Sequence, residues 1–122
     1  MYKLKKDLKN NEVIINGGID GIDQIKSHLK KVDGVMIGRA IYHSPYFLAE
    51  IEKEIFNNSN VPSRIEVMEN LIPYIQEQTA NGVQLNHIMR HTVGLFHGQQ
   101  GSRAWKQYLS KNMCIRNADL QK

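Results

Sequence analysis

The sequence predicts an α/β unit followed by an all-helical one. Two short apolar runs, Glu12-Val13-Ile14-Ile15 and Val35-Met36-Ile37, are rich in branched residues and do not alternate polar with apolar. Each reads as a strand of a parallel sheet, buried on both faces. Between them Ile22, Ile25, Leu29 and Val32 recur at helical spacing, the pattern of a crossover helix. Beyond Pro62 the apolar residues keep a helical period to the end of the chain.

Residues 2–9 read as the tail of a helix, with Tyr2, Leu4 and Leu8 apolar and lysines between them. A helix that feeds straight into a buried strand points to a chain that begins mid-fold. The first strand ends in Asn16-Gly17-Gly18, and Asp20 is placed to cap the crossover helix with its carboxylate at the positive end of the dipole. The second strand ends in Gly38-Arg39. Parallel strands joined by a helix form a right-handed unit and point the same way, so both glycine loops open at the carboxyl edge, where α/β proteins bind ligands.

Two such loops side by side make an anion site. Gly17 and Gly18 carry no Cβ, so an oxyanion can approach the main chain. The following helix adds unpaired N–H groups. Gly38 repeats the arrangement, and Arg39 brings a bidentate positive charge. The bland alternative is a tight turn beside a surface arginine; the two loops together favour phosphate. A dinucleotide fold would need Gly-x-Gly-x-x-Gly and an acidic residue at the end of the second strand. The glycines here are 17, 18 and 21, and that strand ends in Gly-Arg. Phosphate held between the loops of the last two strands is instead the habit of (β/α)8 barrels. Residues 1–56 are therefore expected to be the last two βα units of a TIM barrel.

Ser44-Pro45 is expected to open a further helix, Ser as cap and Pro in the first turn, with Leu48, Ile51 and Ile55 as its apolar stripe. Asn57-Asn58-Ser59-Asn60 followed by Pro62 is a break in composition, and residues 57–62 read as a linker. Ser63-Arg64-Ile65-Glu66 is a capping box. It opens a helix whose buried stripe is expected to be Ile65, Met68, Ile72 and Ile75. Pro73 should kink or split that helix, and Gly82 should end it. A helix from about Gln84 to His97 follows, with Leu85, Ile88, Met89, Thr92, Leu95 and Phe96 inward. After the Gly98–Gly101 loop, Ser102 is expected to cap a helix with Trp105, Tyr108 and Leu109 inward, and a further turn is expected over 117–120. Residues 63–122 read as a small helical bundle.

The chain has 122 residues and 41% hydrophobic content, enough for one ordinary domain with a core. No apolar run approaches the length of a membrane span. The lysine-rich start has no apolar stretch behind it, so it is not a signal peptide. The one cysteine, Cys114, excludes an internal disulfide and suits a reducing cytosol. No metal site is expected. Net charge is +4, and it is unevenly placed. From Gln78 to Ala118 there is no Asp or Glu, while the stretch holds Arg90, Arg103, Lys106, Lys111 and Arg116 with His87, His91 and His97. A face that repels nothing anionic suits nucleic acid. Arg90, Arg103 and Lys106 are the candidate RNA-phosphate contacts, against the plain alternative that they only solubilise the helices. Trp105 shares a helical face with Tyr108 and Leu109 and is read as core rather than as a base-stacking platform.

Ile15-Asn16-Gly17-Gly18-Ile19, Asp33-Gly34-Val35-Met36-Ile37-Gly38-Arg39-Ala40 and Tyr42-His43-Ser44-Pro45-Tyr46 together resemble the flavin-binding end of tRNA-dihydrouridine synthases. Ile88 to Trp105, including Arg90-His91-Thr92-Val93-Gly94-Leu95-Phe96-His97-Gly98-Gln99-Gln100-Gly101, is similar to the helical domain of the bacterial DusA subfamily. The resemblance runs from about Tyr2 to Leu120. It implies an FMN-dependent cytoplasmic enzyme in which NADPH reduces the flavin, the flavin delivers hydride to a tRNA uridine, and a cysteine supplies the proton. It matches Asn16, Gly17 and Gly18 to one flavin-phosphate loop and Gly38 and Arg39 to the other. It assigns residues 63–122 to a tRNA-binding domain.

The departures from the family are as informative. Only two barrel strands are expected here. The catalytic cysteine, and the lysine and histidine that contact the flavin ring, belong to earlier strands and have no counterpart. Cys114 does not match the catalytic position, and neither His43 nor His97 sits on a catalytic motif, so no catalytic residue is assigned. The leading expectation is the C-terminal part of such a synthase, inactive alone and needing a missing N-terminal barrel fragment or self-association to cover its strands. The alternatives are a non-enzymatic RNA-binding helical module with a vestigial phosphate-binding βαβ unit, and a fragment of another phosphate-binding barrel. A flavin absorption band separates the first from the second.

Overall fold

A computed structural model describes residues 2–113. The chain opens with α1 (Tyr2–Asp7), which packs on the crossover helix through the Tyr2 hydroxyl and His28 Nδ1. β1 (Ile14–Asn16) and β2 (Gly34–Met36) pair in parallel, Ile14 beside Gly34, Ile15 beside Val35 and Asn16 beside Met36. α2 (Ile22–Leu29) joins them and buries Ile25. Val13, Ile19 and Val32, just outside these elements, are also buried. Asp33 ties the unit together: its carboxylate accepts the Val13 N–H at 2.8 Å and pairs with Lys5. The βαβ reading is thus borne out. The burial is not as expected, for Ile14 and Met36 remain 50% and 56% exposed. Two strands form the whole sheet among the described residues, and branched side chains on a sheet face stay in water when nothing covers that face.

None of three expected caps, Asp20, Ser44 and Ser102, is the residue that precedes its helix. Gly21, not Asp20, precedes α2, and the Asp20 N–H instead donates to Gln24 Oε1 at 2.9 Å. A short helix the sequence reading missed, α3 (Arg39–His43), starts directly after Gly38. It uses up the residues just before Ser44, so α4 begins only at Phe47 and runs to Glu54. Ser44 contributes its carbonyl rather than its hydroxyl, accepting the Phe47 N–H at 2.9 Å. Leu48 is left half-exposed, while Ile51 and Ile55 face inward. Gly101, in the left-handed region at φ 87°, precedes the last helix, and Ser102 is its first residue.

The second half begins as its sequence dictates. Ser63 N–H donates to Glu66 Oε2 at 2.7 Å, the Glu66 N–H returns to Ser63 Oγ at 3.2 Å, and α5 (Arg64–Ala80) follows. α5 runs unbroken through Pro73. Pro73 and Glu69, whose carbonyl loses its donor there, are both exposed, so water can satisfy that carbonyl. Gly82 at φ 87° ends the helix. Its N–H reaches the Thr79 carbonyl and that of Val83 the Gln78 carbonyl, the paired bonds of a Schellman stop.

The buried face of α5 differs from expectation. Ile75, Met68 and Leu71 face the core, whereas Ile65 and Ile72 are 64% and 47% exposed. The core they join contains Met89 from α6 (Leu85–Met89) and Leu109 from α7 (Ser102–Asn112), with Trp105 packed against it. Truncating such a residue to Ala costs about 2–5 kcal/mol. Trp105 is core, as read from the sequence; Tyr108 is not, being half-exposed.

The helix expected to reach His97 stops at Met89. From Arg90 the chain proceeds by successive turns, with His91, Thr92, Leu95, His97 and Gln99 each donating to the carbonyl three residues back. The Thr92 hydroxyl also takes the Met89 carbonyl at 2.8 Å. Two β-branched residues and Gly94 follow one another there, and all three are poor helix formers. Leu95 is nevertheless buried, and the Phe96 and Trp105 rings meet edge to face with centroids 5.1 Å apart. Cys114, Arg116 and the turn expected over 117–120 lie outside the described residues.

Candidate phosphate pocket and basic groove

Parallel pairing fixes where the two glycine loops lie. Asn16 and Met36 are register partners and each is the last residue of its strand, so the loops that follow emerge side by side. Gly17 and Gly18 take φ values of 126° and 62°, a conformation that costs other residues dearly. A Cβ built on Gly17, Gly18 or Gly38 meets nothing within 4 Å. These positions border open space, and main chain lines it. Asn16, Gly17, Gly18, Gly38 and Arg39, the five residues singled out in the sequence, line one pocket of about 430 Å³.

Four further residues share that pocket: the apolar Ile19 and Met36, and the ionisable Asp20 and His43. Asp20 is free to do so because it does not cap α2. His43 arrives because α3 is helical: four residues after Arg39 it lies on the same face. The helical propensity of Arg39-Ala40 after a strand-ending glycine was the available signal. Among the described residues the ion pairs are Lys5–Asp33 and Lys26–Glu54, so the Arg39 guanidinium has no carboxylate partner there and remains available to an anion.

A second cavity, about 790 Å³, runs along α7 and the loop before it. Arg103 and Lys106, one turn apart, line it with His97, Gln99, Ser102 and Gln107, and no carboxylate takes part. The opposite side of α7 carries Trp105 and Leu109 into the core. Arg90 is not brought to this groove. It follows α6, and its Nε donates to the Asn86 carbonyl at 3.3 Å. Of the three candidate RNA contacts, the structure gathers two.

The described residues contain no group of three His, Cys, Asp or Glu that could hold a metal ion. None of their helices is long and apolar enough to cross a membrane.

The sequence profile of the dihydrouridine synthase family matches residues 1–120. Among curated proteins, the tRNA-dihydrouridine(20/20a) synthase of Haemophilus ducreyi is 46% identical over 99% of this chain and 38% of its own length. The corresponding proteins of Synechocystis sp. and Escherichia coli (strain K12) are 42% and 40% identical over 97% and 98% of this chain, and 36% and 35% of their own lengths. The chain thus spans a little over a third of the curated relatives it matches.

Proposed function

The chain belongs to the dihydrouridine synthase family, and from that premise we propose that it is the C-terminal part of an FMN-dependent tRNA-dihydrouridine synthase. In this reading residues 1–56 are the last two βα units of a (β/α)8 barrel, 57–62 a linker, and 63–122 a helical domain that grips tRNA. The remaining strands, with the catalytic cysteine and the flavin-ring contacts, come from an N-terminal barrel portion, and the chain alone is inactive. The proposed setting is the cytoplasm, in keeping with a tRNA substrate.

The observation that carries the proposal is the meeting of Asn16, Gly17, Gly18, Gly38 and Arg39 around one pocket at the carboxyl edge of a parallel pair. The pocket fits a phosphate monoester in kind. Three glycines open main chain to it, and one arginine has no carboxylate partner among the described residues. The Gly17 and Gly18 N–H groups would donate to phosphate oxygens, and the Arg39 guanidinium would bind two at once. Asp20 sits against the anion and sets an outer limit to the negative charge the pocket accepts. FMN bound there supplies hydride transfer to uridine, with NADPH as reductant. In this reading the chain's part is to anchor the phosphate end of the flavin.

The helical half contributes through Arg103 and Lys106, whose groove has no carboxylate to repel an RNA backbone. The test of the whole reading is Arg39→Ala in a protein with the complete barrel. FMN affinity should fall about ten- to hundredfold, the loss of one charge-assisted phosphate contact worth roughly 1.5–3 kcal/mol. An unchanged dissociation constant would remove the pocket from flavin binding. Turnover of tRNA by the 122-residue chain with FMN and NADPH would overturn its assignment as a non-catalytic part.

A further inference from the structure

Gly94 is a glycine for a reason its backbone does not supply. It is absent from the glycines of positive φ, so conformational freedom is not what the position requires. Contact is. A Cβ at Gly94 would run into the His43 carbonyl oxygen well inside van der Waals distance, and would lie 2.8 Å from the carbonyl carbon of His43 and 3.2 Å from Pro45 Cδ. The obstacle is main chain, which cannot swing aside as a side chain can. Gly94 therefore lets the turns that follow α6 lie flat against the end of α3.

Two more contacts fasten the same short stretch. The Tyr42 hydroxyl and His91 Nδ1 are hydrogen-bonded at 3.2 Å, with the rings edge to face. Tyr46 lies under Arg64, and its hydroxyl donates to the Pro62 carbonyl at 2.9 Å. α3 is five residues long and has little stability of its own. Its first residue is Arg39 and its last is His43, and both line the phosphate pocket. A displacement of His43 is carried through a single helical turn to Arg39.

We infer that Gly94 is a positioning residue for the phosphate pocket: by admitting the His43 carbonyl it lets the helical half hold α3, and through α3 the Arg39 guanidinium, in place. The inference rests on the phosphate reading of that pocket. It makes the second half of the chain part of the apparatus that sets anion affinity in the first, although Gly94 does not itself line the pocket.

The test is a double-mutant cycle on the 122-residue chain, with inorganic phosphate as the probe at fixed ionic strength, followed through the amide resonances of Gly17 and Gly18. Arg39→Ala should weaken phosphate binding about tenfold. Gly94→Ala should weaken it about fivefold and move the apo resonances of Ala40 to His43, while those of Gly17 and Gly18 stay. In the Arg39→Ala background Gly94→Ala should do nothing more, because the group it positions is gone; a general structural loss would add to the first. Additive losses, or a Gly94→Ala chain that binds as well as the parent, would overturn the inference and leave the phosphate reading standing. No phosphate effect at Gly17 and Gly18 in the parent chain would end both. Should Gly94→Ala not fold, Tyr42→Phe, which removes only a hydroxyl at an exposed ring, goes through the same cycle. Its loss should be about twofold and vanish in the Arg39→Ala background, and a loss that persists there would overturn the inference.

Discussion

The guanidinium carbon of Arg64 sits 3.9 Å from the centre of the Tyr46 ring, and Arg64 Nε donates to the Leu95 carbonyl at 2.9 Å. One side chain at the start of α5 thereby joins the segment before α4 to the turns that follow α6. Arg64→Ala removes a cation–π contact and a half-buried charge-assisted bond together. It should destabilise the chain by about 1–2 kcal/mol. Lys restores a charge without the planar stack and should recover only part. Urea midpoints for the three proteins check this, and an Ala variant as stable as the parent would show that the clasp is incidental.

Stability should fall at acid pH through identifiable carboxylates. The Lys5 ammonium and the Val13 N–H hold Asp33 below the usual carboxylate range, and the backbone and hydroxyl of Ser63 do the same for Glu66. A carboxyl depressed in the folded state favours folding above its unfolded pKa, and that contribution is lost as pH falls through the folded value. The urea midpoint should therefore hold steady from neutral pH to about 5 and decline below about 4. Asp33→Asn and Glu66→Gln should each be less stable than the parent at neutral pH, with the difference closing in acid. A difference that is the same at pH 7 and pH 3 would mean that ionisation is not its cause.

RNA binding should divide the basic residues as the structure does. Arg103→Ala with Lys106→Ala should weaken tRNA binding and lower the salt slope by about 1.5, since two phosphate contacts are lost. Arg90→Ala should change the slope less, because its Nε is already committed to the Asn86 carbonyl. Equal slopes for the parent and the double variant would make the groove a solvated surface only.

The open strands should make the isolated chain sticky. β1 and β2 pair only with each other among the described residues, and Ile14 and Met36 stand half in water. Unpaired parallel edges with apolar faces recruit other chains. Light scattering should show mass rising with concentration, and Ile14→Lys should suppress it. A monomer at every concentration, with Val13 to Ile15 amides protected from exchange, would show that the βαβ unit is closed as it stands.

Local grammar was legible where one residue type had one use. The Ser63–Glu66 box, the Gly82 stop and the glycine loops after each strand could be read directly. Caps were misread where a glycine stood beside the polar residue: Gly21 displaced Asp20 and Gly101 displaced Ser102. The buried face of α5 was misread because Ile65, Met68, Leu71, Ile72 and Ile75 make a stripe wider than the core has room for, and periodicity alone does not choose its centre. The pocket residues were legible as a set, since parallel pairing brings the two loops together. His43 was not, because its place depends on α3, and α3 depends on contacts far along the chain.

That distance bears on how the protein is made. Tyr42 and His91 are 49 residues apart in sequence, and Gly94 is further on. On the ribosome the chain lengthens at about 5–20 residues per second, so α3 waits roughly 2–10 s after its own synthesis for the surface that holds it. The crossover helix and the strand pair have their partners sooner. Arg39 is thus both late among the pocket residues to be made and late to be seated, and chains arrested before Gly94 should leave the α3 end of the pocket open to protease while α2 is already protected.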